Sequence, residues 1–254
     1  MNNSSDTLFA PRLADMLRRC ERDCCSVFSR FLDERQCAEA ELWCRKNAGE
    51  LHYGFFGGFP DARRRILALY HDYSADYIRE ELPIVCLTFT FREEDKLDHR
   101  SFLGSFLALG LKRDTIGDIV IKDAFAQAAV TETAARDITA SISRIGRVGV
   151  KITDSLPFEL TLEEAQQFRE IGCTVASLRL DCIAAAAAGL SREKAASLIR
   201  CEKAEVNHLP VTSLSYELKE GDVLSLRGSG RFILSGINGI SKKGRIHIIL
   251  KKYI

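Results

Sequence analysis

Ser177-Leu178-Arg179-Leu180-Asp181-Cys182-Ile183-Ala184-Ala185-Ala186-Ala187-Ala188-Gly189-Leu190-Ser191-Arg192 runs into Glu193-Lys194-Ala195-Ala196-Ser197-Leu198-Ile199-Arg200, and later into Val206-Asn207 and Gly221-Asp222-Val223. Its local chemistry predicts two short helices. Asp181 lies in the first turn of the first helix, where the helix dipole favours a carboxylate. The alanine block favours helix and leaves room for another helix to pack closely. Gly189 suits the position after that helix, and Ser191 is a good N-cap for the next. On the second helix Ala195, Leu198, Ile199 and the stem of Glu202 share one face. Arg192, Ala196, Arg200 and Lys203 form the neighbouring stripe, at offsets 0, 4, 8 and 11. From spacing alone a solvated surface helix is the plainer reading; the other is a helix that packs with one flank and meets phosphate with the other.

The order of the parts adds what spacing lacks. Arg179-Leu180-Asp181, Ser191-Arg192-x-x-Ala195, Leu198-Ile199, Val206-Asn207 and Gly221-Asp222-Val223, in this order, closely resemble the S4-type (alpha-L) RNA-binding domain. The bend after the second helix often carries glycine in such domains; this chain has Glu202-Lys203, which sets a negative charge beside the basic stripe. The candidate RNA-contacting residues are Arg179, Ser191, Arg192, Lys194, Arg200, Lys203, Asn207, Arg227 and Arg231. Lys242, Lys243 and Arg245 extend the basic edge.

Charge is distributed to match. The 254-residue chain has a formal charge of only +1. Residues 176–254 hold 13 basic and 7 acidic side chains, so they carry +6, while the remainder carries −5. That asymmetry points to a nucleic-acid contact at the C-terminal end. No apolar run approaches a membrane span, and residues 1–12 lack the apolar core of a signal peptide. A cytoplasmic protein without membrane contact is expected. Nine cysteines, an odd number, then read as reduced thiols. Cys20-x₃-Cys24 fits half of a zinc site, but Cys37 and Cys44 are too far apart to complete it, so buried thiols are the better reading. No metal or cofactor is expected. His247, alone on a polar strand face, reads as a surface hydrogen-bonding group.

The rest of the chain predicts an α+β protein. Residues 1–75 read as a helical domain with a β-hairpin. The helical pattern runs from Arg12 to Arg45 through Leu13, Met16, Leu17, Val27, Phe28, Phe31 and Leu32, and Trp43 serves as a core anchor. Strands at 51–56 and 66–70 flank a turn at Gly57-Gly58-Phe59-Pro60-Asp61. Arg63-Arg64-Arg65 fits a solvated edge or a phosphate contact equally well. Residues 76–160 run strand (84–91), helix (Phe102, Phe106), strand (116–121), strand (125–131), helix (Ile138, Ile142, Ile145) and strand (148–152). That order is the ferredoxin-like βαββαβ plait, which also underlies the RNA-recognition motif. Phe125-Ala126-Gln127-Ala128-Ala129-Val130 offers one aromatic, so no base stacking is assigned here. Residues 161–175 read as a linker with a short helix at 162–169. Residues 176–254 form the S4-type domain, closed by a hairpin whose second strand, 245–253, turns Ile246, Ile248 and Leu250 to one face.

Taken together, the chain resembles the YlmH family of bacterial ribosome-associated proteins. The matching stretches are Phe31-Leu32-Asp33 with Gln36, Phe56-Gly57-Gly58-Phe59 with Ala62-Arg63-Arg64, Leu109-Gly110-Leu111-Lys112-Arg113 with Gly117-Asp118-Ile119, Ser177-Leu178-Arg179-Leu180-Asp181, and Gly228-x-Gly230-Arg231-Phe232. The resemblance implies a non-catalytic factor of ribosome-associated quality control. Such a factor binds large subunits that still carry peptidyl-tRNA and supports alanine addition to the stalled chain. The implied partners are large-subunit ribosomal RNA, peptidyl-tRNA and ribosomal proteins, and the implied state is a monomer. Two alternatives stand beside it. One is an RNA-modifying enzyme, because Arg179-Leu180-Asp181 superficially resembles the catalytic stretch of pseudouridine synthases. No cofactor fingerprint or spaced catalytic set accompanies that triplet. The other is a cell-division adaptor that binds protein only, which the charge split disfavours as a sole role.

Overall fold

Strand periodicity and helical periodicity compete in the first thirty residues, and the outcome shapes the N-terminal half. The computed structural model describes residues 9–153, 157–162, 168–241 and 244–254. Helix α1 (Phe9–Asp23) ends at a turn, and Val27–Leu32 is strand β1. The expected helix through Val27, Phe28, Phe31 and Leu32 is therefore a strand. A β-bulge explains the misleading pattern. Three steps from Phe28 to Phe31 face only two from Ala68 to Ile66 on the partner strand. The extra residue shifts the side-chain alternation and spaces the apolar residues as a helix would. Ser29 in the bulge accepts the Leu67 N–H at 2.9 Å. Asp33 then starts α2 (Glu34–Asn47) with a capping box shared with Gln36.

Strands β2 (His52–Phe56) and β3 (Arg65–Tyr70) complete an antiparallel sheet in the order β1-β3-β2. Leu67 and Leu69 of central β3 pack with Leu13, Cys20, Cys37 and Cys44 of the two helices, and Trp43 is half-buried against this cluster. Burial pushes the Cys20, Cys37 and Cys44 thiols up to about 11. Ile66 faces the other way.

The second sheet is built from β4 (Ile84–Thr90), β5 (Ile116–Lys122), β6 (Phe125–Thr131) and β9 (Lys151–Thr153). Helices α3 (His99–Ala108) and α4 (Glu132–Ser141) sit between these strands in sequence. A two-residue pair, β7 (Arg144–Ile145) and β8 (Val148–Gly149), takes the place of the expected end of the helix and the start of the last strand. The order is β5-β6-β4-β9, antiparallel throughout. Phe102, Phe106 and Ile138 of the helices pack on Leu87, Phe89, Ala128 and Val130.

The opposite face of this sheet is also closed. Val120 and Ala129 share a core with Phe31 and Ile66 of the first sheet and with Phe59 and Leu160. The expected boundary near residue 75 is thus no boundary in the fold: Met1–Ala165 is one unit and Gln166–Ile254 the other. Gln127, wholly buried, pins the closing segment. Its Nε2 donates to the Pro157 carbonyl at 2.8 Å, and its Oε1 accepts the N–H groups of Glu159 and Leu160 at 2.8 and 3.1 Å.

Arg63-Arg64-Arg65 takes neither of the two expected roles as a unit. Arg64 is turned inward and donates to the carbonyls of Ile116, Phe31 and Arg113 at 3.0, 3.2 and 3.3 Å. The buried Asp118 carboxylate accepts the backbone N–H groups of Arg63 and Arg64 at 2.8 and 2.9 Å. Arg113 donates to the carbonyls of Ile116 and Gly117. Gly117 is required by closeness: a Cβ there would lie 2.7 Å from the Phe31 ring. Burial, with Arg64 alongside, lowers the Arg113 guanidinium to about 10, and burial lifts the Asp118 carboxyl above its usual range.

The second unit opens with β10 (Phe168–Val175), paired along its whole length with β15 (Ile246–Tyr253). The expected 161–175 linker therefore ends in a strand. Its expected helix falls mostly on residues 163–167, outside the described residues, and Phe168 and Arg169 are in β10. Helices α5 (Leu180–Ala188) and α6 (Arg192–Arg200) follow, then β11 (Ala204–Val206), β12 (Leu209–Pro210), β13 (Val223–Leu226) and β14 (Gly230–Ile240). The six strands lie in the order β10-β15-β14-β13-β11-β12. One face packs Leu224, Leu226, Phe232, Leu234, Ile248 and Leu250 against Leu180, Ile183, Ala184, Ala195 and Ile199. Ala184 and Ala195 have no exposed surface, as close packing of the two helices requires.

Candidate nucleic-acid interface

Asp181 is the pivot of the C-terminal helices. It is 4% exposed, and its two oxygens hold two different arginines. Arg179 Nε donates to Oδ1 at 3.2 Å, and Arg192 Nε and Nη2 both reach Oδ2 at 2.8 Å. Burial works against ionisation here, but the hydrogen bonds and charges of Arg192 and Arg179 outweigh it and hold the carboxyl below the usual range. The expected helix-dipole role of Asp181 is therefore secondary to its role as a bracket. It fixes two arginines that start successive helices and leaves the rest of each guanidinium at the surface: the side chains are 39% and 58% exposed.

Gly189 ends α5 at φ +64, and Ser191 caps α6 by accepting the Lys194 N–H at 3.3 Å. Ala195 and Ile199 are buried, while Arg192, Arg200 and Lys203 are exposed. After α6 the Glu202 N–H donates to the Ile199 carbonyl and the Lys203 N–H to the Leu198 carbonyl, a Schellman ending. Glu202 sits at its left-handed position, φ +56, where glycine is favoured. The Lys203 carbonyl accepts the Arg227 N–H at 2.9 Å, which brings the β13–β14 turn to the basic end of α6.

Asn207, expected as an RNA contact, also has a structural role. With His208 it forms the left-handed pair of a β11–β12 hairpin turn, φ +50 and +68. Its Nδ2 donates to Asp222 at 2.8 Å, and its Oδ1 accepts the Val223 N–H at 2.9 Å. Val206-Asn207 and Gly221-Asp222-Val223 thus hold each other. Arg231 lies on the outer sheet face, over the Tyr253 ring at 5.5 Å, because its neighbour Phe232 points into the core. Arg245 is exposed and donates to the Thr174 carbonyl at 2.9 Å. Lys242 and Lys243 lie outside the described residues. The structure therefore gathers Arg179, Arg192, Arg200, Lys203 and Arg227 around α6. Ser191 serves as a cap, Lys194 is exposed elsewhere on the helix, and Arg231 lies past the β13–β14 turn on the outer face of the sheet. The bracketing by Asp181 was missed from sequence, because its second partner, Arg192, lies eleven residues on and on the next helix.

Residues 86–159 match the family model described as "Putative RNA-binding domain in YlmH". The chain is 31% identical over 226 residues to the ribosome-associated protein quality control protein P2 of Bacillus subtilis (strain 168), covering 87% of this chain and 85% of that protein. The solved structure of the cell division protein ylmH from Streptococcus pneumoniae matches with a TM-score of 0.52 at 16% identity, over 61% of this chain and 94% of that one. With most of both sequences aligned at this identity, and the sequence motifs placed where the fold uses them, the chain belongs to the YlmH family.

Proposed function

We propose that the chain is a non-catalytic, cytoplasmic RNA-binding factor of ribosome-associated quality control. It acts as a monomer on large ribosomal subunits that still carry peptidyl-tRNA and supports alanine addition to the stalled chain. In this reading residues 176–254 are an S4-type domain that grips ribosomal RNA through Arg179, Arg192, Arg200, Lys203 and Arg227. The βαββαβ sheet is a ferredoxin-like plait that adds contacts to tRNA or ribosomal protein through surfaces other than its closed sheet face. The observation that carries the reading is the Asp181 bracket. It fixes two arginines in advance of binding, beside an exposed basic stripe, and so lowers the ordering cost of a phosphate contact. The same bracket favours a non-catalytic role: the carboxylate of the Arg179-Leu180-Asp181 triplet is buried and paired. The name of the Bacillus subtilis relative supports the setting. Gradient sedimentation of lysate after induced stalling tests it. The protein is expected with large subunits; recovery only as free protein or only on whole ribosomes contradicts the proposal.

A further inference from the structure

The outer face of the C-terminal sheet carries a second basic and aromatic surface, turned away from α6. Along β10 and β15, Phe168, Glu170, Gly172 and Thr174 pair with Tyr253, Lys251, Ile249 and His247. The alternate residues, including Val175, Ile248 and Leu250, belong to the core, so the first set faces outward. Phe168 is 38% exposed, and its ring lies 4.9 Å from that of Tyr253. The Arg231 guanidinium sits over Tyr253. Arg169 and Lys252, the pair in between, belong by the same alternation to the inner face, where the Lys252 ammonium lies over the Phe232 ring at 5.4 Å. Glu170, opposite Lys251, is the acid at this end. Four to six residues further along, about 13 to 20 Å at strand spacing, Gly172, Thr174, Asn238 and His247 line a shallow hollow of about 560 Å³.

We propose that this face binds a short run of single-stranded RNA. One base stacks at the Phe168–Tyr253–Arg231 corner, its phosphate meets Lys251, and the strand continues toward the hollow. Aromatic rings and guanidinium planes beside cations are the general means of holding unpaired nucleotides. The site is distinct from the α6 face, which suits the phosphates of folded RNA, and the two are separable by experiment.

The full-length protein is titrated by fluorescence anisotropy into a labelled oligouridine and, separately, into a labelled RNA hairpin. Phe168→Leu, which keeps apolar bulk but removes the ring, is expected to weaken oligouridine binding about tenfold and leave hairpin binding unchanged. Phe168→Tyr is expected to bind both as the wild type does. Wild-type protein that fails to bind oligouridine overturns the proposal, as does a Phe168→Leu protein that binds it equally well or loses both RNAs alike. Wild-type protein that binds oligouridine but not the hairpin counts against the α6 reading and not this one. Should Phe168→Leu fail to fold, crosslinking of 4-thiouridine-substituted oligouridine to the wild type decides. Crosslinks in β10 or β15 are expected, and crosslinks confined to α6 overturn the proposal.

Discussion

The two units use arginine in opposite ways. In the N-terminal unit Arg64 and Arg113 spend their donors on backbone carbonyls, and the buried Asp118 spends its charge on backbone N–H groups. In the C-terminal unit the buried Asp181 holds Arg179 and Arg192 by one edge and leaves the rest of each at the surface, next to exposed Arg200 and Lys203. The first arrangement is a joint; the second is a mount. A run such as Arg63-Arg64-Arg65 is therefore not a basic patch merely because it is basic. What matters is whether a carbonyl or a solvent-facing surface receives the donors.

Breaking the joint is expected to have the largest effect. Arg64→Met strips the donor from three carbonyls, at about 1 kcal/mol each, and should cost about 3 kcal/mol in urea unfolding. RNA affinity, measured where the variant is still folded, should remain within twofold. A large loss of affinity from the folded variant would show that this cluster also binds.

Breaking the mount comes next. Asp181→Asn keeps an acceptor but loses the charge, and is expected to cost about 2 kcal/mol together with a loss of RNA affinity. The effect carries a pH signature. The folded carboxyl titrates below its unfolded value, so the unfolded state binds more protons between the two, and stability rises with pH there. The gap between wild type and Asp181→Asn should be full above about pH 5 and close as pH falls through the folded value. A gap that persists unchanged to low pH assigns the cost to shape instead of charge.

Much of this architecture is legible in the sequence. The C-terminal helices, their glycine end and their serine cap follow from local rules, because each depends on neighbours in sequence. So does the strand and helix order of residues 84–153. The strand β1 was not legible, since the bulge at Ser29 gives its apolar residues a helical spacing. Strand β10, Phe-Arg-Glu-Ile-Gly-Cys-Thr-Val at 168–175, is polar on the outer face and read as linker; its partner lies some eighty residues away. Gln127 and Asp181 were seen as members of elements, but their work depends on groups that only the fold brings near. Of the α6 stripe, Arg192 and Arg200 lie on the helix and Lys203 just past its end, beyond the left-handed Glu202, while the turn role of Asn207 depends on Asp222 and Val223, fifteen and sixteen residues away.

A smaller change sharpens the comparison on the favourable side. Glu202 occupies a left-handed position that glycine takes without strain. Glu202→Gly is expected to stabilise the C-terminal unit by about 1 kcal/mol in thermal or chemical unfolding. It should also raise RNA affinity modestly, because a negative charge leaves the basic edge. A destabilised variant would mean that the Glu202 side chain has a role that its φ angle conceals.

The most direct test of the mount is the salt dependence of RNA binding by the full chain. Arg200→Gln, Lys203→Gln and Arg227→Gln are combined, leaving Arg192 in place so that Asp181 keeps both partners. If each side chain neutralises one phosphate of duplex-like RNA, the slope of log affinity against log salt should fall by about three, at roughly 0.9 per contact, with unfolding unchanged. An unchanged slope and affinity in a normally folded triple variant would contradict the assignment and move the RNA face away from α6.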